Sequence, residues 1–163
     1  MATVYLLRHA KAAAGTPDRD RPLTPEGCHA AAEMGREMAA RGLAPDLVLC
    51  SAARRAVQTW EALRPNLETA PRVAVEDELY SCGAPALLDR LRRLEAEVER
   101  ALVVAHNPDI QELAVKLAGE GPATERSRLR RKFPAGALAA FDAPGCAWRD
   151  LDRARLVFFA LPK

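Results

Sequence analysis

Apolar residues along this chain fall into short continuous runs, separated by longer stretches where they recur every three or four positions. The runs at 2–7, 46–51 and 101–105 are rich in Val and Leu and too short for helices, so they predict buried strands. Residues 72–75, 137–141 and 156–161 predict three more. Between them the helical spacing predicts a helix with Thr24 as N-cap and Pro25 at its first position, running to about Arg41 and stopping at Gly42. Further helices are expected from about Ala53 to Leu63 ahead of Pro65, from Pro85 to near Arg100, and from Pro108 to about Ala118, where Gly119 and Gly121 interrupt. Residues 15–22, dense in Gly, Pro and charge, read as a loop. Alternating strand and helix predicts an α/β fold, a three-layer α/β/α sandwich around a mostly parallel sheet of about five or six strands. The chain shows no repeat, low-complexity stretch or linker, so 1–163 reads as a single domain.

Composition narrows the function classes. With 49% apolar and 28% charged residues the balance is that of an ordinary globular protein, and a net charge of +2 does not call for nucleic acid or a membrane surface. Aromatic residues make up 5%, too few for base-stacking platforms. No apolar run approaches the ~20 residues of a membrane span, and no basic stretch precedes the first run as a signal peptide requires. Cys28, Cys50, Cys82 and Cys146 are dispersed without metal-ligand spacing, which suits reduced thiols in a cytoplasmic protein. A monomer is the default expectation.

Three of the predicted strands end in reactive side chains. Arg8-His9 follows the first, Ser51 with Arg54-Arg55 the second, and His106-Asn107 follows 101–105. Parallel strands bring their carboxyl ends to one edge, where open α/β sheets hold their ligands. Two histidines and two arginines converging there fit a tetrahedral phosphoryl group. Histidine attacks phosphorus in line, while guanidinium groups bind the remaining oxygens and take up developing charge. Ser51, the helix start after it and Asn107 are the candidate substrate-binding groups. A metal is not expected, because no carboxylate or cysteine spacing supports one and adjacent arginines repel a cation; no cofactor is implied. His29 shares a helix face with Glu33, Arg36 and Glu37 and reads as exposed. Arg54 reads as a rim residue.

These segments resemble a known family. Arg8-His9-Ala10 is similar to the RHG signature of the histidine phosphatase (phosphoglycerate-mutase-like) superfamily. Residues 51–59, SAARRAVQT, resemble its SPxxRAxQT segment, and 103–108, VVAHNP, its (V/I)xHNP segment. Residues 21–27, RPLTPEG, resemble the RPLTxxG segment of the short SixA-type branch, and Glu78-Leu79-Tyr80 stands in the place of that branch's EL(Y/T). The resemblance covers most of the chain, in order. It implies that His9 is a nucleophile that becomes phosphohistidine and that Arg8, Arg55 and His106 form the phosphate pocket; the choice of Arg55 over Arg54 rests on it. Two positions depart from the pattern: Ala10 replaces glycine and Ala52 replaces proline.

The larger members' segment bearing a general acid has no counterpart here. Glu78 is one candidate acid, and Asp18 and Asp20 on the loop are others. A phosphoramidate eases the requirement, since a ring-protonated phosphohistidine releases imidazole, whose conjugate acid has a pKa near ~6.5, far below an alcohol's. The expectation is therefore a phosphohistidine phosphatase acting on a protein partner at a shallow, open site. Alternatives are a small-molecule phosphomonoesterase and a non-catalytic module that binds phosphoproteins. Residues 125–132, the strongest charge run, read as a solvated loop, with docking of an acidic partner or a flanking phosphate as the second reading.

Overall fold

A computed structural model describes residues 2–163. Its strands are β1 (Ala2–Arg8), β2 (Leu47–Ser51), β3 (Arg72–Glu76), β4 (Arg100–Ala105), β5 (Ala118–Glu120), β6 (Leu138–Ala143) and β7 (Ala154–Ala160). The helices are α1 (Pro25–Ala40), α2 (Arg54–Leu63), α3 (Ala84–Arg92), α4 (Asp109–Leu117) and α5 (Ala123–Arg131). One mostly parallel seven-stranded sheet runs in the order β3-β2-β4-β1-β6-β7-β5. The β3-β2-β4-β1 half is parallel throughout, whereas β6 lies antiparallel to both β1 and β7.

Alternation along the buried strands builds the layers. Val4 and Leu6 of β1, Leu49 of β2 and Val103 of β4 face α3, α4 and α5, where they pack with Leu87, Leu113 and Leu129. Their neighbours Tyr5, Leu7, Val48 and Val104 face the other way, onto Met34 and Met38 of α1 and Trp60 of α2. Side chains two apart in a strand share a face, so strands covered on both sides read as unbroken apolar runs. The expected sandwich is the observed one.

Three details differ from expectation. The sheet has seven strands because Ala118–Glu120, expected as the end of the helix and its glycine break, forms a short parallel strand against β7. The third helix stops at Arg92 instead of near Arg100. Beyond it Glu95-Ala96-Glu97 offers no apolar face, and Trp148 Nε1 donates to the Val98 carbonyl at 2.6 Å, fixing the chain as it enters β4. The basic run 125–132 is not a loop: α5 takes up most of it, anchored by fully buried Leu129 and by Gln111 Nε2, which donates to the Leu129 and Arg130 carbonyls. One buried residue in nine is too sparse to show as periodicity, so charge masks this helix.

Candidate active site

The β1–β4 ladder sets the site. Arg8 stands opposite Ala105, and His9 N–H donates to the Ala105 carbonyl at 2.9 Å, so His9 and His106 leave the sheet side by side. Their ring centroids lie 5.2 Å apart. β2 ends one strand further along and brings Ser51; α2 begins three residues later and turns Arg55 inward. His9, Ser51, Arg55 and His106 are all buried, whereas Arg54 is exposed and donates to the Asp20 carbonyl. Arg54 and Arg55 are consecutive on a helix and so face about 100° apart.

The state of His9 follows from its partners. Nδ1 lies 2.8 Å from the Ala10 carbonyl, which can only accept, so Nδ1 carries the proton. Nε2 therefore holds a lone pair, aimed at Arg55, whose Nε–H donates to it at 3.3 Å. Burial, followed by the charges of Arg55 and Arg8, lowers the His9 pKa to about 4 against the backbone bond, which raises it. At neutral pH the ring is uncharged and carries its lone pair on Nε2.

The same reasoning orients His106. Ser51 Oγ accepts from the Ala53 N–H, and among the described residues its own proton has no acceptor other than His106 Nε2 at 2.7 Å, so the hydroxyl donates to that nitrogen. The proton of the neutral His106 ring then sits on Nδ1. Burial first, and then the neighbouring His9 and Arg55, lower the His106 pKa to about 3. Nδ1 of His106 and Nε of Arg8 are buried with no hydrogen-bond partner in the protein. Both are donors, and buried donors left without a partner on residues flanking the His9 ring are the complement of an anion.

A third layer of contacts holds these groups. Arg8 Nη1 and Asn107 Nδ2 both donate to the Phe133 carbonyl, at 3.0 and 3.1 Å, and Asn107 Oδ1 accepts from the Gln111 N–H in α4. Both ends of the Asn107 amide thus engage the protein. Thr59, which the sequence reading left without a role, is fully buried; it accepts from the Ala10 N–H at 2.9 Å and donates to the Arg55 carbonyl. Its i+4 spacing from Arg55 puts the two on one helix face, a signal available in the sequence. Gln58 Oε1 accepts from the Leu23 N–H. A Cβ on Gly27 would come within 2.2 Å of the Lys11 carbonyl, so only glycine lets α1 begin against the loop after β1.

The acid candidates separate in space. Glu78 is exposed and reaches Arg90 and Arg93 of α3. Asp18 lies on Arg55: Oδ2 accepts from Arg55 Nη2 at 3.0 Å and from the Tyr80 hydroxyl, while Oδ1 accepts from Arg21. Those hydrogen bonds, that of Tyr80 foremost, hold the Asp18 carboxyl well below the usual carboxylate range. Asp20 carries no such contact with the pocket arginines. Tyr80 stands edge-on to His106, with centroids 5.5 Å apart. Among the described residues no group of three or more His, Cys, Asp or Glu is placed to hold a metal ion, and no helix is long and apolar enough to cross a membrane.

The model for the histidine phosphatase superfamily (branch 1) matches residues 4–131. This chain belongs to that superfamily. It is 33% identical over 123 residues to the phosphohistidine phosphatase SixA of Escherichia coli K12, covering 73% of this chain and 76% of that protein. A putative SixA structure from Nakamurella multipartitia superposes with a TM-score of 0.85 at 33% identity, covering 99% of this chain and 96% of the other. A protein histidine phosphatase SixA complexed with tungstate gives 0.78 at 26% identity, covering 96% and 95%. The coarse activity is that of a phosphatase, a hydrolase with SixA-like neighbours.

Proposed function

We propose that this histidine phosphatase superfamily member removes the phosphoryl group from phosphohistidine on a protein partner, through a covalent intermediate on His9. The observation that carries the reading is the pair of orphaned donors, Arg8 Nε and His106 Nδ1, beside a His9 ring whose Nε2 lone pair faces Arg55. The tungstate-bound SixA neighbour supports it, because tungstate is a tetrahedral oxyanion like the group expected here.

In the first step the His9 Nε2 lone pair forms a bond to phosphorus as the bond from phosphorus to the leaving nitrogen breaks. Arg8, Arg55 and the His106 Nδ1–H bind the oxygens, where charge grows in the transition state. The Ala10 carbonyl stabilises the positive charge that His9 acquires, through the Nδ1–H bond already in place. In the second step water attacks phosphorus, His9 leaves as the neutral ring, and phosphate departs with the proton balance restored to solvent. Ser51 and Thr59 position His106 and Arg55, and Asn107 holds the carbonyl that orients Arg8.

The choice of a P–N over a P–O substrate rests on the carboxylates. Asp18 is ionised and engaged by Arg55, Arg21 and Tyr80, and Glu78 is turned to α3, so neither is a ready proton donor for an alkoxide. An imidazole needs none. The four cysteines are free thiols, which fits a reducing, cytoplasmic setting. The test is phosphate release from a histidine-phosphorylated protein and from a matched phosphoserine protein, with wild type and His9→Ala. Release from phosphohistidine, abolished in the variant, with an alkali-stable phosphoryl group trapped on His9, is the expected result. Release mainly from the ester would favour a phosphomonoesterase, and binding without release from either would favour a non-catalytic module.

A further inference from the structure

The phosphatase pocket uses none of the charge in α5. Arg130, Arg131 and Lys132 are consecutive and exposed, and no carboxylate lies within ion-pair distance of them among the described residues. Arg128, by contrast, pairs with Glu125. Three adjacent unpaired cations in a chain of net charge +2 form a concentrated positive patch.

Its position gives the patch meaning. Arg131 and Lys132, with Arg128, Pro134, Phe159 and Leu161, line a groove of about 390 Å³. The groove has a basic wall and an apolar floor, where Leu161 is 44% exposed. It opens at the same sheet edge as His9, because β6 begins and β7 ends there. Lys132 precedes Phe133, whose carbonyl holds Arg8. Gly136 donates its N–H to the Arg8 and His9 carbonyls, and its Cα region lies between Ala10 and Pro162, the residue after Leu161. Two larger grooves, about 430 and 450 Å³, are lined by segments before β4, after β6 and at the start of β7, and so open at the opposite edge.

We propose that this groove docks an acidic segment of the phosphorylated protein, one carrying an apolar side chain for the Leu161 floor, and so selects the partner whose phosphohistidine reaches His9. The inference rests on the reading that the substrate is a protein. Charge complementarity argues for an acidic polypeptide, since the groove offers apolar floor and cations, and its one aromatic residue, Phe159, is buried. Salt-sensitive capture would raise the encounter rate without altering the chemistry.

The test uses two short phosphohistidine peptides that differ only in flanking residues, Glu in one and Gln in the other. Wild type should turn over the Glu peptide with kcat/KM about tenfold higher at low salt, and the preference should vanish near about 0.5 M salt, where screening is strong. In Arg130→Gln/Arg131→Gln/Lys132→Gln the preference should be lost, while turnover of free phosphoramidate stays at the wild-type rate and shows that the pocket is intact. A charge-reversed triple Glu variant should invert the preference. Equal handling of both peptides by wild type, or a preference that survives in the triple Gln variant, would overturn the proposal. Should neither peptide be hydrolysed, the phosphatase reading fails separately, and fluorescence anisotropy with the unphosphorylated pair decides the groove: Glu must bind more tightly than Gln. A single-stranded DNA oligonucleotide that binds the patch more tightly than the Glu peptide would also overturn it.

Discussion

His9, Ser51, Thr59 and His106 lie beneath the sheet edge with less than a tenth of their surface exposed, whereas Asp18, Asp77 and Glu78 above them are open to solvent. Below, the Ala10 carbonyl and the Ser51 hydroxyl fix the ring protons of His9 and His106, and the Phe133 carbonyl holds Arg8. Above, acids and arginines pair on the surface, as Arg19 does with Asp77 and Arg93 with Glu78. Exposed pairs of this kind contribute roughly 0–1 kcal/mol, while a misplaced buried donor costs its full desolvation. Chemistry is therefore fixed in the floor and recognition is left to the rim, and each change below is expected to respect or violate that division.

After His9→Ala, the largest effect is expected from Arg55→Ala, which removes a buried charge facing His9; kcat should fall by about 10²–10³-fold, read by steady-state phosphate release. Ser51→Ala deletes the donor that sets the His106 tautomer, and a smaller loss, on the order of tenfold, should appear in kcat more than in KM.

The floor also has a thermodynamic signature. Folding holds His9 and His106 neutral down to about pH 4 and about pH 3, whereas the unfolded chain protonates them below their ordinary value of 6.5. Between pH 6.5 and 4 the unfolded state thus binds more protons, and stability must fall as pH falls. From pH 6.5 to 5 the loss is on the order of 2 kcal/mol per histidine. Urea midpoints at the two pH values measure it, and His9→Asn should flatten the dependence by about half.

Rim changes should be milder. Asp18→Ala releases buried Arg55 from its carboxylate partner and is expected to tighten inhibition by inorganic phosphate by a few-fold. Glu78→Gln should leave kcat/KM on phosphohistidine within about twofold, because its carboxylate reaches Arg90 and Arg93 of α3 and not the pocket arginines. A strong loss in Glu78→Gln, greatest for poor leaving groups, would move Glu78 into the chemistry and erase the division.

Legibility in the sequence follows the same line. The apolar runs 46–51 and 101–105 announce strands, and strands end where the floor residues stand, so Arg8, His9, Ser51 and His106 could be placed on one edge from pattern alone. Arg55 could not be separated from Arg54 by pattern; the family resemblance chose it, and the structure turns Arg55 inward and Arg54 out. The contact of Asp18 with Arg55 has no periodic trace, because a loop folds back over 37 residues to make it. Helix α5 stayed hidden since a single buried leucine directs it, and β5 since three residues carry no pattern.

β1 lies fourth of seven in the sheet yet precedes the other six strands along the chain. It leads directly into His9, the proposed nucleophile, yet its flank on one side is β4 and on the other β6, and the carbonyls and N–H groups that lock Arg8 and His9 come from Phe133, Gly136 and Ala137. Such non-local closure cannot begin until almost the whole chain exists. A nascent or prematurely ended product that stops before Phe133 carries every histidine and arginine of the pocket and still has no pocket. The reactive imidazole is made early and armed late.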